Sequence, residues 1–489
     1  MRVVVLGGGT AGWMAANLFA ARLGARATVD VVESEEIGIV GVGEGSTPQL
    51  KAFFDALGIA EADWMPRCNA TYKNGIAFRG WSERPGYASY FHPFPAELDA
   101  RTAPAFYRNT ELRRRGQNVH AHPDRFFLPA RLAAERRAPD AGRGVTYGYH
   151  FDAYLVGAFL RDHARARGVR HHGRKVVDVA VEDGQVTALR FEGGGELAGD
   201  LFVDASGFRS VLAQGALGVR WIPFASNLFN DRAVVLPTPA DPGGTASQTT
   251  STALRHGWAW DIPLTNRTGN GYVYSSAYCS PDAAEAELRA HLGLGDDPPA
   301  RHLTMRVGRV AESWAANVLA IGLAQGFIEP LEATALHLVQ ATVEGFLRAW
   351  ENGGFTPKHR DVFNRTITAR YEGVRDYIVC HYRVNKRTDT PYWRDNGAQA
   401  DLSDSLKGVL TTWFRGRNLE TEVLRQDIAR YYAPLSWHCL LAGYGVYPSD
   451  AKLLPAVAGE GANMTEIDRA VDAAAAGSRD HKAALAALR

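Results

Sequence analysis

The chain has 489 residues, of which 46% are hydrophobic and 22% charged, a composition typical of a globular protein with a large buried core. The formal net charge of +1 gives no electrostatic reason to bind nucleic acid or an anionic membrane. The four cysteines are scattered without paired spacing, which favours free thiols in the cytoplasm over a disulfide framework or a metal site. We expect no transmembrane helix, because no apolar run reaches about 18 residues.

The N-terminal residues predict a βαβ unit. Residues 2–6 form a run rich in β-branched side chains, typical of a buried parallel strand, and an apolar helix follows through Leu23. A second predicted strand runs from Thr28 to Val32 and is followed by Glu33. A G-x-G-x-x-G arrangement lies between the first strand and the helix, so this order predicts dinucleotide binding. The alternative is a glycine-rich turn in an unrelated α/β fold.

Each position of this arrangement has a physical role in binding a dinucleotide. The first glycine allows a tight turn, the second lets the backbone approach the pyrophosphate, and the third permits close packing of helix on strand. The helix N-terminus presents free N–H groups to the phosphates, and the acid accepts hydrogen bonds from the adenosine ribose. The residues predicted to contact the cofactor here are Gly7, Gly9, Thr10, Ala11, Gly12 and Glu33.

A second segment, far downstream, favours FAD over NAD. The apolar run 201–203 precedes Asp204 in a D-x-x-G pattern, which is typical of FAD proteins that close over the cofactor. A predicted strand at 176–181 contributes Val177 to the same predicted site. The alternative role for Asp204 is a helix cap or turn. No second glycine fingerprint follows a strand, so the sequence predicts no separate site for a nicotinamide reductant.

Further motifs extend the pattern from residue 1 to about residue 450. They are GGGTAGWMAA (7–16), VGVGEGSTP (40–48), GWAWDIP (257–263), GYVYSS (271–276), RVGR (306–309), IGLAQGFIEPLEATAL (321–336), RDYIVCHY (375–382) and DTPYW (389–393). Together they resemble the flavin-dependent tryptophan halogenase family, whose best-known mark is W-x-W-x-I-P. The tryptophans of that mark, Trp258 and Trp260, are interpreted as structural, because large aromatic side chains usually fill a core.

The resemblance implies an α/β fold, with a Rossmann-like FAD-binding module of flavin monooxygenase type and a largely helical substrate domain. The expected FAD-binding module covers residues 1–345 discontinuously, with inserted substrate-contacting segments around 85–145 and 215–300. The expected helical substrate region covers residues 346–489. Within it, the alanine-rich tail from 465 to 489 is predicted to be one amphipathic helix.

The resemblance also implies an activity. A separate flavin reductase supplies reduced FAD, which uses O2 and chloride or bromide to generate hypohalous acid. That acid reaches a separate pocket holding an electron-rich aromatic or indole-type small molecule, or a peptide, where a lysine and a glutamate assist. The alternatives are a non-halogenating flavin monooxygenase or oxidase, and a non-catalytic flavin-binding relic. Neither nucleic acid, a membrane nor a metal is implied; the oligomeric state is open, although many family members are homodimers.

Site residues follow from the resemblance position by position. They are Glu332 as the active-site glutamate; Thr334 and Ala335 as the pair whose backbone amides hold the halide; Gly45, Leu323 and Leu336 along the flavin; and His92 and Phe94 in the substrate pocket. The alternative for Glu332 is a helix N-terminal acid favoured by the helix dipole. The alternative for His92 is a surface histidine, or one whose hydrogen bonds are satisfied within the protein.

The sequence departs from the family at the position of the catalytic lysine. The segment 72–81 aligns without a gap, and Ala77 occupies that position. Lys73 is expected on the same strand face about 13 Å away, at about 3.3 Å per residue. Arg79 lies two positions further along that face and is always charged, so it cannot act as a neutral amine.

Two other departures concern the halide and the substrate. Ala335 replaces a glycine beside Thr334, and its Cβ is expected to crowd the halide, or to alter the backbone if φ there is positive. Residues 431–448 lack the longer aromatic and acidic stretch of enzymes that act on free tryptophan. The sequence therefore predicts that free tryptophan is not held in the usual way.

Overall fold

The computed structural model of the chain describes residues 1–34, 36 and 43–488. The first three residues of the VGVGEGSTP motif, 40–42, lie outside the described residues. The strands in chain order are β1 (Arg2–Leu6), β2 (Thr28–Glu33), β3 (Gly43–Gly45), β4 (Thr71–Lys73), β5 (Gly75–Arg79), β6 (Ser89–Pro93), β7 (Gln117–Asn118), β8 (Gly148–Asp152), β9 (Arg170–Gly173), β10 (Val176–Glu182), β11 (Gln185–Phe191), β12 (Glu196–Ala198), β13 (Leu201–Asp204), β14 (Trp221–Pro223), β15 (Arg232–Pro239), β16 (Thr249–Leu254), β17 (Gly257–Pro263), β18 (Arg267–Tyr274), β19 (Arg301–Thr304), β20 (Gly308–Val310), β21 (Trp314–Ala315), β22 (Val318–Ala320), β23 (Gly326–Phe327) and β24 (Leu454–Pro455).

The α-helices are α1 (Thr10–Leu23), α2 (Gln49–Ala56), α3 (Glu61–Trp64), α4 (Asp99–Arg114), α5 (Leu128–Ala134), α6 (Ala153–Ala166), α7 (Pro281–Leu292), α8 (Ala335–Asn352), α9 (Arg360–Arg383), α10 (Pro391–Ala398), α11 (Asp404–Phe414), α12 (Leu419–Arg425), α13 (Pro434–Gly443), α14 (Met464–Ala476) and α15 (His481–Ala486). Among the described residues, no helix is both long and apolar enough to cross a membrane. The predicted first strand, first helix and second strand are confirmed as β1, α1 and β2, and the strands predicted at 176–181 and 201–203 are confirmed as β10 and β13.

One compact unit is formed by residues 1–69, 151–225 and 305–372. Its main sheet has the strand order β21-β22-β13-β1-β2-β9, in which β1 pairs in parallel with both β2 and β13. The three consecutive valines of β1 are fully buried, as expected for a strand covered on both faces. The register aligns Leu6 with Val32 on one side and with Asp204 on the other. The carboxyl ends of the three strands therefore meet at one edge, where nucleotides bind in folds of this type.

Helix α1 is held against α6 in this unit by a buried amide. The side-chain nitrogen of Asn17 donates to the carbonyl oxygens of Trp13 and Leu160, at 2.8 and 2.9 Å. Its side-chain oxygen lies 2.7 Å from Nδ1 of His163. The helix N-terminus is thereby fixed beside the carboxyl edge of the sheet.

The second compact unit is formed by residues 70–150, 226–304 and 373–489. Its largest sheet has seven strands in the order β19-β15-β18-β17-β16-β5-β6. Every pair in it is antiparallel except β16 with β5. The predicted α/β fold class is confirmed, but the sequence did not predict this sheet. Trp258 and Trp260 of β17 are 1% and 6% exposed, in agreement with their structural interpretation.

One predicted helix differs from the expectation. The predicted single helix at 465–489 is wrong in its continuity: α14 ends before Gly477, and α15 begins after Asp480, whose side chain accepts a hydrogen bond from the Ala483 N–H. The expected limit between modules after residue 345 falls inside the continuous helix α8. The division of the chain into independently acting modules stays a prediction.

Candidate functional site

Two glycines of the N-terminal fingerprint occupy positions that exclude a side chain. Gly7 has φ of +119°, and a Cβ there would lie 2.2 Å from the carbonyl oxygen of Ala205. A Cβ on Gly12 would lie 1.9 Å from the carbonyl oxygen of Gly7. The tight turn and the close helix-strand packing expected from the sequence are both present.

Gly9 differs from its neighbours because the space around it is open. A Cβ added there would meet no atom within 4 Å, and its φ of −72° and ψ of 176° suit any residue. Gly9 caps α1 without a side-chain hydrogen bond to the first turn. The hydroxyl of Thr10 donates to the carbonyl oxygen of Ala153, 3.2 Å away, and does not cap the helix. Open space in front of free helix N–H groups fits the pyrophosphate of FAD.

The two acids at this edge of the sheet have different surroundings. Oε1 of Glu33 lies 2.7 Å from Nε2 of His171, and the carboxylate lies over Gly8. Asp204 is fully buried, and its carboxylate accepts hydrogen bonds from the N–H groups of Ser206, Leu212 and Ala213.

The surroundings of Asp204 correspond to the cap or turn that was its alternative role. Burial raises the pKa of its carboxyl, and these hydrogen bonds oppose the rise. The side chain thus shapes the turn after β13, and a direct contact with FAD stays a prediction.

The loop after β22 approaches the start of α1. Gly322 has φ of +57°, and a Cβ there would lie 2.9 Å from the Cβ of Ala11 and 3.9 Å from the Val339 side chain on α8. Leu323 is the next residue and is partly buried. The fold therefore brings Ala11 of the predicted flavin site against Gly322, the residue that precedes Leu323.

Sequence reasoning missed Gln325, which holds this loop in place. Its buried side-chain nitrogen donates to the hydroxyl oxygens of Ser313 and Thr342, at 2.9 and 3.0 Å. Its side-chain oxygen accepts a hydrogen bond from the Tyr371 hydroxyl at 3.1 Å. The sequence signal that could have identified it is a single glutamine within an apolar stretch, which indicates a buried polar side chain.

The remaining predicted flavin residues are more dispersed. Gly45 ends β3, and Leu336 is a partly buried residue in the first turn of α8. Val177 is 57% exposed on β10. Next to Gly45, burial and then the Asp152 carboxylate raise the pKa of Glu44 to about 7. The sequence analysis did not single out Glu44.

The EPLEATAL segment builds the N-terminus of α8. A short 3-10 helix ends at Glu332, which is 3% exposed, and Ala333 then takes a left-handed conformation with φ of +54°. Thr334 precedes α8, and its side chain makes no capping hydrogen bond. A buried carboxylate and uncapped helix amides are therefore placed next to each other in the chain, the arrangement expected for an anion site beside an acid.

The backbone expectation for Ala335 is corrected by this geometry. Ala335 is the first residue of α8 and has helical backbone angles, whereas the positive φ belongs to Ala333. An alanine is compatible with a helix start, so the Ala335 side chain imposes no backbone strain. Its Cβ is exposed and borders the uncapped turn.

His92 lies in an aromatic cluster of the second unit. Its Nε2 is 3.0 Å from the hydroxyl oxygen of Ser436, and its ring centre is 5.9 Å from that of Tyr377. Tyr377 stacks on Tyr432 with ring centres 3.6 Å apart, and Trp437 packs edge-on against Tyr377 at 4.9 Å. The sequence predicted His92 but none of these four partners, which come from α9, α13 and the segment before α13.

Phe94 lies beneath a buried cation. Nζ of Lys73 is 5.5 Å from the centre of the Phe94 ring, within the range of a cation–π interaction. Lys73 ends β4, which pairs with β8, whereas Ala77 is in β5 of the seven-stranded sheet. The expectation that Lys73 and Ala77 share one strand face is therefore wrong, because the chain changes sheets at Asn74.

Ala77 packs against an apolar cluster of the second unit. It pairs with Phe91 on β6 and with Thr250 on β16. It packs against the cluster formed by Phe91, Ala130 and Ala133. Arg79, two residues along the same strand face, is exposed. Neither its charge nor its exposure suits it to replace the family lysine.

Comparisons with known proteins cover nearly the whole chain. A family model described as tryptophan halogenase matches residues 2–460. The chain is 36% identical over 501 residues to the 7-chloro-L-tryptophan 6-halogenase KtzR of Kutzneria sp. (strain 744), covering 97% of this chain and 96% of that protein.

Solved structures of halogenases are also similar to this chain. The crystal structure of the tryptophan 6-halogenase SttH of Streptomyces toxytricini superposes with a TM-score of 0.85 at 34% identity, covering 100% of both chains. BrvH, a flavin-dependent halogenase from Brevundimonas sp. BAL3, superposes with a TM-score of 0.85 at 32% identity, covering 100% of this chain and 99% of that chain.

Proposed function

We propose a function from the premise that this chain belongs to the tryptophan halogenase family. Members of the family are flavin-dependent oxidoreductases that use reduced FAD and a halide, receive the flavin from a separate reductase and act on aromatic substrates. We propose that this enzyme generates hypohalous acid and delivers it to an electron-rich, indole-type substrate other than free tryptophan.

The observation that carries the proposal is the segment from Glu332 to Ala335. It joins a buried carboxylate to the uncapped N-terminus of the 18-residue helix α8. Helix amides stabilise an anion such as a halide, and they favour negative charge within the first turn. Glu332 is proposed to accept the proton that the arene loses on substitution, the role of a general base.

The flavin half of the proposal depends on the first unit. Reduced FAD supplies the electrons that activate O2. Gly9 leaves room for the pyrophosphate, and the amides of Thr10 and Ala11 are proposed to bind it. Glu33 is proposed to accept hydrogen bonds from the ribose hydroxyls. Leu323 and Leu336 are proposed to lie along the flavin, with Gly45 and Val177 at its periphery.

The substrate half depends on the second unit. His92 and Phe94 are proposed to contact the aromatic ring of the substrate, and Ser436 fixes the orientation of the His92 ring. Ala77 offers no amine, so nothing at this position aims hypohalous acid at one carbon. We therefore propose weak regioselectivity, with some oxidant released to solvent.

The cellular setting is also proposed. All four cysteines are buried and none is in a disulfide, which is compatible with a reducing cytoplasm. A homodimer, common in the family, stays an expectation.

The test uses the purified chain with a flavin reductase, FAD, NADPH, O2 and bromide against a panel of indoles, with products read by mass spectrometry. We expect mixtures of bromoindoles together with free hypobromite or peroxide. Oxygenated products without bromine would place the enzyme among non-halogenating monooxygenases. Efficient formation of a single regioisomer would contradict the proposed role of Ala77.

A second arm of the same test restores the amine. Ala77→Lys should raise bromoindole yield by up to about 10-fold, less than the about 10²–10⁴-fold of a well-placed acid or base, because the apolar neighbours are not shaped to orient the amine. Ser89→Lys adds the same charge at an exposed position of β6 and should leave the yield unchanged. An equal gain in both variants would show a general charge effect instead.

A further inference from the structure

A cavity of about 450 Å³ lies among residues of the second unit that the family motifs do not include. Its lining is contributed by the end of α9 and the residues after it, and by α11 with residues just before and after that helix. The lining residues are Arg383, Val384, Lys386, Leu402, Lys407, Leu410, Thr411, Phe414 and Arg415. Cavities of this size hold small organic ligands.

One face of α11 forms a wall of this cavity. The residues at 407, 410, 411, 414 and 415 recur at helical spacing and share that face. Leu406, Val409 and Trp413 are buried on the other side of the helix. Phe414 is 68% exposed, although a large aromatic side chain is usually buried. The wall therefore combines an apolar surface with positive charges.

The lining has four cationic side chains and no acid. Within the part of the chain that the structure describes, Lys407 is the one of these four with an acidic partner, Asp404 at 3.5 Å, whose side chain is fully exposed. Among the described residues, the side chains of Lys386 and Arg415 make no hydrogen bond or ion pair with a protein acceptor. Nη1 of Arg383 donates to the carbonyl oxygen of Gly397, at 2.5 Å.

Lys386 lies near other positive charges, one of them Arg383 of the lining. Burial lowers the pKa of Lys386, and the positive charges of Arg84 and Arg383 lower it further. A ligand with more than one negative charge would relieve this repulsion, whereas a monocarboxylate would neutralise a single cation. Guanidinium groups suit phosphate because their paired N–H groups match its oxygens.

We propose that this cavity binds a small phosphate ester, with the dianionic phosphate held by Lys386, Arg415 and Arg383. The apolar or flat body of the ligand lies against Phe414, Leu410 and Leu402. The cavity is distinct from the residues assigned above to flavin, halide and substrate.

The experiment is titration calorimetry of the full chain, saturated with FAD, at low ionic strength and pH 8, with phenyl phosphate as the probe. A phosphate monoester carries close to two negative charges at this pH. We expect one site that binds phenyl phosphate more tightly than inorganic phosphate or benzoate. Lys386→Gln and Arg415→Gln should each weaken binding by about 5-fold.

Two further variants separate the proposal from general charge effects. Phe414→Ala should weaken binding of phenyl phosphate but not of inorganic phosphate. Arg417→Gln removes the same charge two residues beyond Arg415, outside the lining, and should leave binding unchanged. Equal affinities in all four variants, or equal affinities for phenyl phosphate and inorganic phosphate, would overturn the proposal.

Discussion

At the scale of single residues, the fingerprint glycines differ in what they contribute. Gly7 and Gly12 are required by the fold, since a Cβ at either position would meet a backbone oxygen within about 2 Å, closer than any real contact. Gly9 is not required by the fold, because its backbone angles and open surroundings accept any side chain. We propose that a bound ligand accounts for this glycine, and Gly9 is therefore a position at which cofactor binding can be tested without altering the fold.

Gly9→Val should leave the chain folded and abolish FAD binding, because the side chain fills the space proposed for the pyrophosphate. Binding is measured by flavin fluorescence quenching, and folding by circular dichroism and thermal unfolding. Gly295→Val is the matched control, since Gly295 also has no atom within 4 Å of an added Cβ and lies outside the fingerprint. If Gly9→Val binds FAD as tightly as the unaltered chain does, the cofactor site is elsewhere.

Glu332 can be tested separately from the flavin. Glu332→Gln keeps the shape of this 3% exposed side chain and removes its ability to accept a proton, so product formation should fall by about 10²–10⁴-fold with FAD affinity unchanged. Glu344→Gln is the control, because Glu344 lies further along α8 and its carboxylate accepts a hydrogen bond from the Gln340 side chain. Full turnover in Glu332→Gln would leave Glu332 with only its helix-terminus role.

At the scale of elements, the C-terminal helix α15 is anchored through its first residue. Nε2 of His481 accepts a hydrogen bond from the Tyr72 N–H at 3.1 Å, and its Nδ1 donates to the carbonyl oxygen of Thr245 at 3.0 Å. The buried imidazole must be neutral to make both bonds. Burial is the main cause that lowers the pKa of His481 to about 4.

This anchor predicts a pH dependence of stability. Folding lowers the pKa of His481, so the unfolded chain takes up a proton at a higher pH than the folded chain does. The contribution of His481 to the stability of the folded state is therefore complete above about pH 6.5 and is lost as the pH falls towards 4. The contribution lost by pH 5 is about 1–2 kcal/mol. Urea unfolding at pH 7.5 and pH 5 measures it.

The variant His481→Asn separates this residue from other titrating groups. It should be less stable at pH 7.5 by about 1–3 kcal/mol, because the Tyr72 N–H loses its acceptor. Between pH 7.5 and pH 5, the free energy of unfolding of this variant should fall by less than that of the unaltered chain. An equal fall in both proteins would show that groups other than His481 cause the loss of stability at low pH.

At the scale of the whole molecule, the sequence contains one dinucleotide fingerprint, which is assigned to FAD, and no second one for NADPH. The six-stranded sheet of the first unit carries that fingerprint on β1 and α1. NADPH alone should therefore fail to reduce bound FAD, and turnover should require an added reductase or a chemical reductant. Anaerobic absorbance at the flavin band measures reduction, and rapid bleaching by NADPH in the pure protein would contradict this expectation.

The sequence by itself determined the βαβ unit, the FAD fingerprint and the family, because these depend on local spacing. Gly7, Gly9 and Gly12 indicate a dinucleotide site only because they follow a strand and precede a helix at fixed numbers of residues. Those spacings can be read directly from the amino-acid sequence. The same holds for the segment from Glu332 to Ala335, which forms the start of α8 from consecutive residues.

Only the tertiary structure decided which distant residues meet. Ser436 reaches His92 across 344 positions of chain, and His481 reaches Tyr72 across 409. The separate sheets of Lys73 and Ala77 follow from strand pairing, which depends on partners elsewhere in the chain and not on the run of residues between them. The burial of the Asp204 carboxylate and the hydrogen bonds of His481 with Tyr72 and Thr245 likewise depend on the tertiary structure.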